Sequence, residues 1–104
     1  MEILINTDNN ISASAEMRSY LKSDLEASFE RFAEHLTRLE VKISDENGSK
    51  EGENDKKVLL EARLKGMQPL VVTGNGNSID QAISDASTKL KTSLDSTMGK
   101  LRSY

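Results

Sequence analysis

Within the run ERFAEHLTRLEVKI, residues 30–43, the apolar period changes from 3.6 to 2 in about four residues. Phe29, Phe32 and Leu36 recur at helical spacing. Leu39, Val41 and Ile43 then alternate with Arg38, Glu40 and Lys42. A helix that feeds directly into a strand with one buried face requires a mixed fold, in which helices cover a sheet.

The same reading extends both ways along the chain. MEILIN is short, apolar and β-branched, which predicts a first strand over residues 1–6, and TDNN reads as a turn. Ser14 is a candidate N-cap for a helix whose stripe is Met17, Leu21, Leu25, Phe29, Phe32 and Leu36. A second strand is expected over Leu39–Ser44. The segment Asp45–Asp55 holds five acids, one lysine and two glycines, and is expected to be a flexible acidic loop. Residues 57–65 alternate again, with Val58, Leu60, Ala62 and Leu64 on one face and Leu59 on the other. A fourth strand, LVVTG, follows Pro69, whose missing N–H is tolerated at a strand start. Asn77 or Ser78 can cap a last helix with the stripe Ile79, Ala82, Ile83, Ala86, Leu90, Leu94, Met98 and Leu101; Gly99 suggests fraying over 99–104. The expected fold class is therefore α+β: one domain over 1–104, β-α-β-β-β-α, a four-stranded mixed sheet with both helices on one face.

The residue types needed for catalysis are scarce. There is no cysteine and one histidine, His35, whose place near a helix end fits a role in satisfying the last carbonyls. No nucleophile motif or metal spacing is present: the acidic loop does not follow the EF-hand order, and Gly74-Asn75-Gly76 lacks the rest of a phosphate loop, so it reads as a strand-to-helix turn. An enzyme, a cofactor and a metal site are not expected. Neither a membrane span nor a secretory signal is visible, and a cytoplasmic location is expected.

Net charge is −3, yet the charge is uneven. The C-terminal stretch carries Lys89, Lys91, Lys100 and Arg102 against Asp95, a local +3 (4 − 1). The first helical segment adds Arg18, Lys22 and Arg31 among Glu16, Asp24, Glu26, Glu30 and Glu34. Helix-borne cations of this kind are usually solvated, but they can also release counterions from a polyanion.

Three stretches resemble one family. The junction FAEHLT followed by LEVKI is similar to F-x-D-H-I-T of the ribosome hibernation promoting factors and ribosome-associated translation inhibitors, the sigma-54 modulation protein family. SAEMRSY, residues 14–20, resembles T-x-A-L-R-x-Y, and SIDQAISDASTKL, residues 78–90, resembles D-M-Y-x-A-I-D-x-x-x-D-K-L. The likeness spans about residues 2–95. It implies a fold like a double-stranded-RNA-binding domain and a short-form member. The implied activity is binding to the small ribosomal subunit and its RNA, inhibiting translation and promoting hibernation under stress. By matched position Arg18, Arg31 and Lys89 carry over as RNA-binding residues; Lys22, Lys91, Lys100 and Arg102 join them on charge. The alternative is a divergent non-ribosomal member acting as a protein-interaction module, with Leu59 and Val71 covered by a partner or in a weak homodimer.

Overall fold

The computed structural model describes residues 1–8, 14–45 and 55–102, the last three as backbone only. The elements run β1 (Glu2–Thr7), α1 (Ala15–Ser28), a 3₁₀ turn (Glu30–Phe32), β2 (Leu36–Asp45), β3 (Lys56–Leu64), β4 (Leu70–Gly76) and α2 (Ile79–Arg102). The sheet order is β1-β2-β3-β4, with β1 parallel to β2 and the other two pairs antiparallel. This is the α+β order expected from the sequence.

Register explains the buried face. Ile5 pairs with Val41, Val41 with Leu60, and Leu60 with Val72, so one row of side chains crosses all four strands on the same side. Leu21 and Leu25 from α1, Phe29 at its C-terminal cap, and Ala82, Ala86, Leu90 and Leu94 from α2, join those strands in one core. Each fully buried Leu, Ile, Val or Phe contributes about 1.5–3 kcal/mol of transfer free energy.

The boundary between α1 and β2 departs from the expected one. The helix ends at Ser28, not near Leu36, and Phe29 caps it, its N–H donating to the Leu25 carbonyl. Phe32 lies in the 3₁₀ turn, and Leu36 already belongs to β2. Leu36 and Leu39 are both buried although they stand three positions apart, an odd step that would put them on opposite faces of a regular strand. A bulge reconciles the two: register with β3 shifts between Leu36 and Arg38, and the Thr37 hydroxyl donates to the Arg63 carbonyl at 3.0 Å. His35 sits in the turn before β2. Its N–H donates to the Phe32 carbonyl and its own carbonyl accepts from Lys65, so its backbone ties β2's start to β3's end.

Both helix starts carry the expected hydroxyl caps. Ser14 Oγ accepts from Met17 N, and Ser78 Oγ from Gln81 N. Gln81 Oε1 reaches back to Asn77 N at 2.9 Å, a reciprocal bond one residue earlier than the usual capping box. The helix α2 continues through Gly99 to Arg102. Gly74 and Gly76 lie within β4 rather than in a turn. A Cβ at Gly74 would stand 2.3 Å from Ala86 N and 2.5 Å from Ala82 O, so these glycines let α2 lie on the strand's own backbone. The expected acidic loop is narrower than 45–55: Asp45 ends β2, and Asp45 and Asp55 are buried and share the Lys56 ammonium, at 3.1 and 3.3 Å. Residues 46–54 are outside the described set.

Candidate nucleic-acid interface

The seven cations singled out by sequence fall into separate groups. Arg18 and Lys22, one helical turn apart on α1, line the outer side of β1 with Ile3 and Ile5. Arg18 is half-buried; it donates to the Ile5 carbonyl at 2.9 Å and to Thr7 Oγ1 at 3.2 Å. Lys22 is exposed. Lys89 works at the opposite side of the sheet, donating to the Thr73 carbonyl at 3.1 Å and pairing with Asp85 at 3.1 Å. Asp85 in turn accepts from Asn75 N. That bond, then Lys89, hold its carboxyl below the usual carboxylate range.

Arg31 and Lys91 each lie over one ring of the Phe29–Phe32 pair, at the seam between the 3₁₀ turn and α2. The Phe29 and Phe32 rings lie 6.3 Å apart and tilted, with the Arg31 guanidinium 4.2 Å over Phe32 and the Lys91 ammonium 5.6 Å from the Phe29 centroid. Arg31 makes a two-pronged bond to Asp95, at 2.6 and 3.0 Å, and that carboxylate raises its already high pKa. Lys100 and Arg102 lie on the final turn of α2, and their side chains are outside the described set. Residues 89 and 91 are about 200° apart around a helix. One therefore serves the β4 side and the other the seam.

The helical surface is not uniformly basic. Glu16, Asp24, Glu26, Glu30 and Glu34 are all exposed. Sequence reasoning singled out Leu59 and Val71 on the sheet's uncovered face but passed over the cations there: Lys42 and Lys57 flank Leu59 in a shallow groove of about 350 Å³. The signal was present, because the alternation that buries Val41 and Val58 turns Lys42 and Lys57 outward. On the same face Arg38 pairs with Glu2 and Glu40, and Arg63 with Glu61. Among the described residues no cluster of His, Cys, Asp or Glu could hold a metal ion, and no helix is long and apolar enough to cross a membrane.

Arg18 gives the first prediction. Its donors satisfy a carbonyl on the unpaired side of an edge strand. Arg18→Ala is therefore expected to lower stability by about 1–2 kcal/mol, measured by urea unfolding.

Among the described residues, two helices cover one face of a four-stranded sheet and carry the cations described above. The sequence matches the family described as Sigma 54 modulation protein / S30EA ribosomal protein over residues 4–102, and the chain belongs to that family of ribosome-associated factors. Among solved structures it resembles a ribosomal subunit interface protein from Coxiella burnetii, at 13% identity and a TM-score of 0.74, covering 95% of this chain and 99% of that one. It also resembles the N-terminal domain of Protein Y from Thermus thermophilus, at 19% identity and a TM-score of 0.68, covering 89% of this chain and 94% of that one. No curated protein sequence matches.

Proposed function

We propose that this protein binds the small ribosomal subunit through its RNA in the cytoplasm, and that it inhibits translation by occupancy in stressed or stationary cells, with no chemistry of its own. The observation that carries this reading is the family match across residues 4–102 on a complete β-α-β-β-β-α fold. The residues proposed to grip phosphate are Lys22, Lys91, Lys100 and Arg102, joined by Arg31. Arg18 and Lys89 can join only by giving up their bonds to β1 and β4. With exposed acids alongside, binding should be weak and strongly dependent on salt.

Co-sedimentation with small subunits across a salt series tests it. The protein should travel with subunits at low salt and leave them as salt rises, and it should slow cell-free translation. Lys91→Glu should weaken binding roughly tenfold at low salt and flatten the slope of log affinity against log salt by about 1. Wild-type protein that stays at the top of a low-salt gradient overturns the reading.

A second reading rests on Val71, 54% exposed, and Leu59 on the sheet's uncovered face. A protein partner or a weak homodimer would cover them. Light scattering of the pure protein, with protein capture after nuclease treatment, would separate this reading from the first.

A further inference from the structure

The bond between Arg31 and Asp95 has the form of a guanidinium holding an oxyanion. Both terminal nitrogens of Arg31 face both oxygens of Asp95, at 2.6 and 3.0 Å. Two parallel N–H···O bonds of this kind are also how arginine takes a phosphate. The Phe32 ring lies beneath the guanidinium, 4.2 Å from its central carbon, and gives it a surface to rest on. The pair is on the surface, with side-chain exposures of 58% and 54%, and a competing anion can reach it. Lys91, across the Phe29–Phe32 pair, supplies a second positive charge nearby.

We infer that Asp95 is a built-in competitor: its carboxylate occupies the place on Arg31 that an RNA phosphate would take, and so sets how tightly the protein holds RNA. The inference rests on the RNA-binding reading above and deepens it. A bound phosphate must displace Asp95, which keeps affinity low and lets Arg31 add to binding only where a phosphate is well placed. Glu34 lines the same hollow as Arg31, His35 and Asp95, so removal of Asp95 leaves one acid beside Arg31.

The test is a four-protein cycle of wild type, Asp95→Asn, Arg31→Ala and the double variant, titrated against a labelled uridine homopolymer at several salt concentrations. Asp95→Asn should bind about three- to tenfold more tightly at low salt, and its salt slope should steepen by about 0.7, the value for one added single-strand phosphate contact. Arg31→Ala should weaken binding in both backgrounds, and more strongly in the Asp95→Asn background, so that Asp95→Asn brings no gain once Arg31 is absent. Melting temperatures distinguish a merely structural bond, which would lower stability without moving the slope. The inference is overturned if Asp95→Asn gains nothing, or if the double variant keeps the whole gain, because loss of one negative charge would then suffice. Small ribosomal subunits run in parallel keep the two claims apart. Failure of wild type to bind subunits removes the ribosomal role, while the homopolymer cycle still decides the competition at Arg31.

Discussion

Gly74→Val is expected to lower stability by at least about 4 kcal/mol, a large share of what holds a domain of this size together. The glycine faces the backbone of α2: a Cβ there would lie 2.3 Å from Ala86 N, 2.5 Å from Ala82 O and 2.8 Å from Ala86 Cα. None of these atoms can swing aside as a side chain would. Relief requires the helix to lift, and α2 brings Ala82, Ala86, Leu90 and Leu94 into the core, all at 0% exposure. Overpacking in a core commonly costs about 1–3 kcal/mol through side-chain adjustment. Moving a helix against a strand should cost more, at least about 4 kcal/mol, against a total stability of about 5–15 kcal/mol. Circular dichroism with urea unfolding checks this. Gly99→Ala is the control, since nothing lies within 4 Å of a Cβ there and the helix should gain up to about 1 kcal/mol.

Phe29→Ala is expected to cost about 3–5 kcal/mol, because a fully buried ring leaves a cavity as well as losing its transfer free energy. In a domain near 100 residues that corresponds to a fall in melting temperature of about 15–30 °C. Phe29 caps α1, packs against Phe32 and underlies Lys91, so its loss loosens the joint from which the seam cations project. Phe29→Leu should retain most of the stability. A Phe29→Ala protein that melted within a few degrees of wild type would show that the joint is held elsewhere.

The joint is also where sequence and structure part. Met17, Leu21, Leu25 and Phe29 keep steps of four, and Phe32 and Leu36 continue the same arithmetic, so periodicity alone extends the helix to Leu36. The chain instead tightens into a 3₁₀ turn after Phe29, and a bulge at Thr37 returns Leu36 to the buried side. Local spacing cannot register that bulge, because it depends on pairing with Arg63 and Leu64 on another strand. The remaining elements were legible, since Val58, Leu60 and Ala62 alternate, and Ala82, Ala86, Leu90 and Leu94 repeat, on faces that one core can bury. The reading LVVTG ends the fourth strand at Gly74 and takes Gly74-Asn75-Gly76 as the turn into α2, whereas the strand runs on to Gly76, because what those glycines permit, contact with the α2 backbone, lies outside their own segment. Charge was legible as composition but not as circumstance. Nothing in the sequence ties Arg31 to Asp95, 64 residues away, or Lys89 to the carbonyl of Thr73.

The bonds from Arg18 to the Ile5 carbonyl, from Lys89 to the Thr73 carbonyl and from Asn75 N to the Asp85 carboxylate occupy outward-facing polar groups on the first and last strands. A neighbouring copy that approaches either margin meets groups already satisfied, and would have to break those bonds before it could extend the sheet. Crowded molecules of this protein are thereby discouraged from zipping into fibrils.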